Sequence, residues 1–151
     1  MATELDPTLR DPATYGHWTP VTLRFRDLDL LGHVNNVSLA GWLEDGRVGM
    51  ELPVQPLTPD YAGPVIVLVD LRIQFLAEVR FGSEVRVGTR VQRIGRSSAT
   101  IGQAVFADGE CAAAAEAVEV LIDANTRRPT PWPDAFRSLF ERYGPATRSA
   151  S

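Results

Sequence analysis

Two carboxylates, one imidazole and two amides fall within residues 27–36 of this 151-residue chain: Asp27, Asp29, His33, Asn35 and Asn36, with Gly32 among them. A carboxylate can draw a proton from water or attack a carbonyl carbon itself. Backbone N–H groups at the start of a helix can stabilise the oxyanion that forms when a carbonyl is attacked. An acid and an oxyanion site side by side meet the geometric need of acyl transfer. The same residue types also build turns and helix caps, so the cluster alone leaves an ordinary connecting turn open. Other chemistries lack their residues. The chain has no Gly-x-Ser-x-Gly elbow, no phosphate-binding loop ending in Lys-Ser/Thr, no His-Glu-x-x-His and no dinucleotide fingerprint.

The elements that must position this cluster can be read on either side of it. Residues 18–26 alternate in part, with Val21, Leu23 and Phe25 on one face, and predict a half-buried strand. Residues 37–50 place Val37, Ala40, Leu43 and Val48 at roughly helical spacing, and Asn35 or Asn36 can cap that helix. Gly41 inside it costs about 1 kcal/mol, which predicts a close approach to another element. Three prolines make 52–63 a loop. Strands are predicted over 65–79, 85–94 and 98–106, and Asp108-Gly109 signals a hairpin. Residues 111–122 are ambiguous, because four successive alanines favour helix. The hairpin signal before them and the run 117–122 favour strand. A short helix is expected over 134–143. The fold class is therefore α+β, an antiparallel sheet of about five strands wrapped on one central helix. One domain is expected over 18–143, after a flexible leader at 1–17 and before a flexible tail at 144–151.

Composition narrows the function classes. The net charge is −4 and the pI about 5.1, which argues against nucleic-acid or anionic-membrane binding. All fifteen basic residues are Arg, and Arg can hold phosphate bidentately at a local site. The single cysteine, Cys111, lies in an apolar stretch and reads as a packed thiol. With only His17 and His33 beside it, no metal site is expected, and no cofactor. Nothing resembles a signal peptide or a membrane span, so the cytoplasm is the expected compartment.

The run Arg24-Phe25-Arg26-Asp27-Leu28-Asp29-Leu30-Leu31-Gly32-His33-Val34-Asn35-Asn36 resembles the signature of the 4-hydroxybenzoyl-CoA thioesterase-like branch of the hot-dog superfamily. Glu44 and Arg47 fill helix positions of that pattern, and similarity continues through 73–82, 91–98 and 131–136. The resemblance implies a single hot-dog domain that hydrolyses acyl-CoA to a free acid and CoA. It implies Asp29 as the catalytic carboxylate and the N–H near Asn36 as the group that polarises the thioester carbonyl. Gly32, His33, Asn35, Leu39 and Glu44 would line the substrate site. Leu39 stands where a tyrosine is usual, which implies an altered acyl pocket. Asp27 would be structural, paired with Arg24 or Arg26. Arg93, Arg96 and Ser98 are candidates for the CoA phosphates. Leu28, Leu30 and Leu31 would surround Asp29 with apolar groups. A homodimer or homotetramer is expected, with the site at the subunit interface. A non-catalytic acyl-CoA or acyl-carrier binding protein of the same fold is the alternative. A dehydratase fits less well, because the Asp27/Asp29 pair departs from that pattern.

Overall fold

A computed structural model describes residues 4–144. Five antiparallel strands form one sheet: β1 (His17–Val21), β2 (Val65–Phe75), β3 (Val85–Ile94), β4 (Ser98–Ala107) and β5 (Glu110–Ile122). Their spatial order is β1-β3-β4-β5-β2. Helix α1 (Asn36–Glu51) lies in the curl of the sheet and packs on β1, β3 and β4. Its inward stripe is Leu39, Trp42, Leu43, Gly46, Arg47 and Met50. Helix α2 (Asp134–Arg142) packs Phe136 and Phe140 beyond the end of α1, against Met50, Val91, Ala99 and Ile101. The layout is the hot-dog arrangement, one sheet wrapped on one long helix. Among the described residues, no helix is long and apolar enough to cross a membrane.

Local sequence explains most of these elements. Asn35 caps α1, its side-chain oxygen accepting from Ser38 N–H at 2.9 Å. Asp108 and Gly109 both take positive φ, 50° and 82°, as a two-residue hairpin turn requires. The alanine run became strand because β5 lies inside the sheet, between β4 and β2. Ala113 and Ala115 face α1, while Ala114 packs on the opposite side. Small side chains let a layer approach from each face.

Three expectations need correction. First, residues 4–16 are not a loose leader. They form two short 3-10 turns, Pro7–Arg10 and Pro12–Thr14. Each Asp-Pro pair supplies a cap followed by a proline at the first helical position. Asp6 accepts from Thr8 N–H and Asp11 from Ala13 N–H, both at 2.9 Å. Leu5, Leu9 and Tyr15 are buried against Ala104, Phe106 and Ala114. Gly88 and Gly102 make room, since a Cβ at either would meet Tyr15 or Leu9 at 2.6 Å. The tail expected at 144–151 lies, Gly144 apart, outside the described residues. Second, two strands are shorter than their patterns. β1 stops at Val21, and a 3-10 turn (Phe25–Asp27) leaves Phe25 80% exposed. β2 stops at Phe75, where Leu76 and Ala77 N–H both reach the carbonyl of Ala112. Two donors on one acceptor bend the chain there. Third, Gly41 faces open space, and the close approach is at Gly46. A Cβ on Gly46 would meet Gln103, Thr89 and Val87 at 2.8–2.9 Å.

Gly46 sits over a buried polar network. Arg47 lies 3.3 Å from Glu119 and donates to Gln103 at 3.0 Å. Gln103 in turn donates to the Leu43 carbonyl and to the Thr89 hydroxyl. Glu51 is the third ionisable member. Burial, then a hydrogen bond to Glu119 and its charge, push the Glu51 carboxyl up to about 11, against the pull of Arg47. Burial also raises Glu119, while the Glu51 hydrogen bond and Arg47 lower it. One guanidinium, one carboxylate and one neutral acid leave the network uncharged, the state a low-dielectric interior favours. An unfolded Glu ionises near 4.5, so above that pH the folded chain holds a proton that the unfolded chain has lost. Stability therefore falls as pH rises through this window. Glu51→Gln removes that dependence and is expected to gain stability over the wild type from about pH 5 to about pH 9. Urea midpoints across that range test it, and a gap that stays constant with pH would count against it.

Candidate active site

The bend after β2 and the start of α1 build the site together. Past the bend, Val79 is buried in the core and its carbonyl accepts from Val34 N–H at 2.9 Å. Next to it His33 bridges to Arg80. The loop that carries Asp29 is thus held on one side by residues 79–80 and on the other by α1. Within that loop Asp29 N–H donates to the His33 carbonyl at 2.8 Å, and Gly32 takes φ +78° to close the turn. Asp29 Oδ1 accepts from Leu31 N–H at 2.9 Å and from His33 N–H at 3.3 Å. The carboxylate is therefore fixed through one oxygen, with no partner for Oδ2 among the described residues.

A cleft of about 310 Å3 opens between these segments. Asp29, His33, Asn36 and Leu39 line it from one side, and Phe75, Leu76 and Glu78 from the other. Asn36 is the first residue of α1, so its N–H has no acceptor within the helix. Carboxylate and helix start thus face one space, with apolar walls from Leu39, Phe75 and Leu76. Among the described residues, no three His, Cys, Asp or Glu side chains gather as a metal site. Burial raises the Cys111 thiol, which keeps it in the protonated, unreactive form.

Other candidates are placed differently. Asn35 spends its side chain on the helix cap and does not line the cleft. Asp27 is structural, but not through a guanidinium. Its Oδ2 accepts from Arg24 N–H at 2.8 Å and its Oδ1 from the Ser38 hydroxyl at 3.1 Å. Those two bonds tie the turn before the loop to the first turn of α1. Glu44 lies two turns on and lines a separate groove of about 430 Å3 with Arg24, Arg26 and Asp45. Arg93, Arg96 and Ser98 sit at the β3–β4 turn, where Trp132 bonds to the carbonyls of Arg96 and Ser98. That turn is near the far end of α1, a helix of sixteen residues, or about 24 Å. Leu28, Leu30 and Leu31 are neighbours of Asp29, but Leu30 and Leu31 are 105% and 78% exposed and do not bury it. Glu78 was not singled out by sequence reasoning. Its Oε2 lies 3.1 Å from His33 Nε2, a pairing that no spacing in the sequence points to.

The comparisons with known proteins agree with this fold. The model of the thioesterase-like superfamily matches residues 23–140. Among solved structures, a Pseudomonas aeruginosa protein is similar at 26% identity and a TM-score of 0.81, over 89% of this chain and 95% of its own. A Thermus thermophilus thioesterase solved with coenzyme A and zinc is 32% identical, with a TM-score of 0.76, over 86% and 95%. A predicted thioesterase of Bacillus stearothermophilus is 28% identical, with a TM-score of 0.77, over 85% and 96%. No curated protein matches the chain. Family and neighbours together support thioester hydrolysis in general. On the match across most of its length, this chain belongs to the thioesterase-like superfamily.

Proposed function

We propose that this protein hydrolyses acyl-CoA thioesters, with Asp29 as the reacting carboxylate. One observation carries the reading. Asp29 is held through Oδ1 by two backbone N–H groups and shares a cleft with the first residue of α1. As general base, Asp29 takes a proton from water while the water oxygen bonds to the thioester carbon. The C–S bond then breaks, and the CoA thiolate leaves and is protonated. As nucleophile, Asp29 instead forms a mixed anhydride that water opens. In both routes the Asn36 N–H faces the developing oxyanion.

A second copy of the chain completes this reading. β2 is an edge strand of eleven residues with Leu68, Val69 and Phe75 exposed. Pairing it with another copy would cover those side chains and wall the cleft. Arg93, Arg96 and Ser98 would then meet CoA phosphates from a neighbouring copy, since α1 separates them from Asp29 in their own. The Thermus thermophilus neighbour with coenzyme A bound supports the ligand class.

Thiol release from short, long and aromatic acyl-CoAs tests the proposal. Turnover of at least one class is expected. Acyl-CoA binding without turnover across the panel would favour a binding protein and overturn the hydrolase reading.

A further inference from the structure

We infer that Glu78 is a positioning residue of this site: it fixes the His33 imidazole, and through His33 the loop that cradles Asp29. The inference rests on the hydrolase reading, but the contact that carries it is independent of that reading. Glu78 Oε2 lies 3.1 Å from His33 Nε2. An ionised carboxylate only accepts hydrogen bonds, so Nε2 carries the proton. When the ring is neutral, Nδ1 is then the free acceptor. One contact thereby sets both the orientation and the tautomer of the only imidazole in the cleft.

His33 is joined to Asp29 more tightly than to any other residue of the loop. Its N–H donates to Asp29 Oδ1 and its carbonyl accepts from Asp29 N–H. Its backbone also bridges to Arg80, two residues beyond Glu78. A ring anchored on Glu78 and a backbone anchored on the same segment hold the Asp29 turn from the bend after β2. The pair is not there for stability. The Glu78 side chain is 64% exposed and that of His33 26%, and pairs this exposed contribute little to folding. Glu78 can therefore be changed without unfolding the chain, which makes the kinetic test clean.

The experiment measures kcat and KM for the best acyl-CoA substrate in four proteins: wild type, Glu78→Ala, His33→Ala and the double variant. Glu78→Gln is measured beside them, because its amide oxygen can still accept from Nε2. Glu78→Ala is expected to lower kcat by about tenfold with KM nearly unchanged, at an unaltered melting temperature. Glu78→Gln is expected to recover most of that loss. In the His33→Ala background, Glu78→Ala is expected to add nothing, since the residue acts through His33. If His33→Ala melts early, His33→Asn serves as the background. An equal loss in both backgrounds, no loss at all, or a Glu78→Gln variant as slow as Glu78→Ala would each overturn the inference. Ring nitrogen NMR shifts give a readout that needs no turnover. They are expected to report the Nε2–H tautomer in wild type and its loss in Glu78→Ala. An unchanged tautomer overturns the inference even if the enzyme is active. An inactive wild type with the expected tautomer change overturns the hydrolase reading alone.

Discussion

Asp29→Asn is expected to lower kcat for acyl-CoA hydrolysis by roughly 10²-fold or more, in a protein that melts where the wild type does. The substitution keeps the oxygen that matters for folding. Asn can still accept from Leu31 and His33 N–H, the two bonds that hold the turn. It loses the charge, and with it the ability to take a proton from water or to attack the carbonyl. Structure and chemistry are thus separated at one residue. Single-turnover thiol release measures the effect, with the melting temperature as control. Unchanged turnover would remove Asp29 from the mechanism. Asp27 would not replace it, because both of its oxygens already hold the turn to α1. Glu44 faces another groove. Glu78, the other carboxylate of the cleft, would be next.

The parts of the molecule legible in the sequence are those set by neighbours along the chain. Asn35 ahead of a helical run, Asp108-Gly109 between two alternating runs, and β3 over 85–94 all follow from local chemistry. What failed was decided by partners distant in sequence. β2 ends at Phe75 because Ala112, on another strand, accepts two N–H groups at once. Residues 4–16 look like a broken leader until Gly88 and Gly102 are seen to receive Tyr15 and Leu9. The role given to Gly41 belongs to Gly46, and only the positions of Gln103, Thr89 and Val87 tell them apart. The candidate site divides the same way. Asp29, His33 and Asn36 stand in one run and line one cleft, while Gly32 only closes the turn between them and does not line it. Glu78 lies 45 residues from His33 and shows no spacing that points to it.

Arg47→Met is expected to destabilise the chain by about 3–5 kcal/mol, the usual loss when one member of a buried ion pair is removed. Arg47 is 4% exposed and Glu119 3%. Without the guanidinium, Glu119 keeps its burial penalty and Gln103 loses the donor to its carbonyl oxygen. Arg47 also holds the Glu119 carboxyl down. Removing it lets that carboxyl rise further, so the loss should grow as pH increases. Adding Glu119→Gln in the same chain discharges the stranded carboxylate and is expected to recover much of the loss. Urea denaturation of the single and double variants checks both steps. A loss below about 1 kcal/mol for Arg47→Met would mean the network is solvated and the pair contributes little. The outcome bears on the cleft as well as the core. Arg47 ties α1 to β5 directly and, through Gln103, to β4 and β3. The first turn of that same helix carries Asn36 and Leu39 into the cleft. A helix free to shift on the sheet would move the Asn36 N–H away from the carbonyl it is proposed to polarise, so loosening the network should slow turnover even where the fold survives.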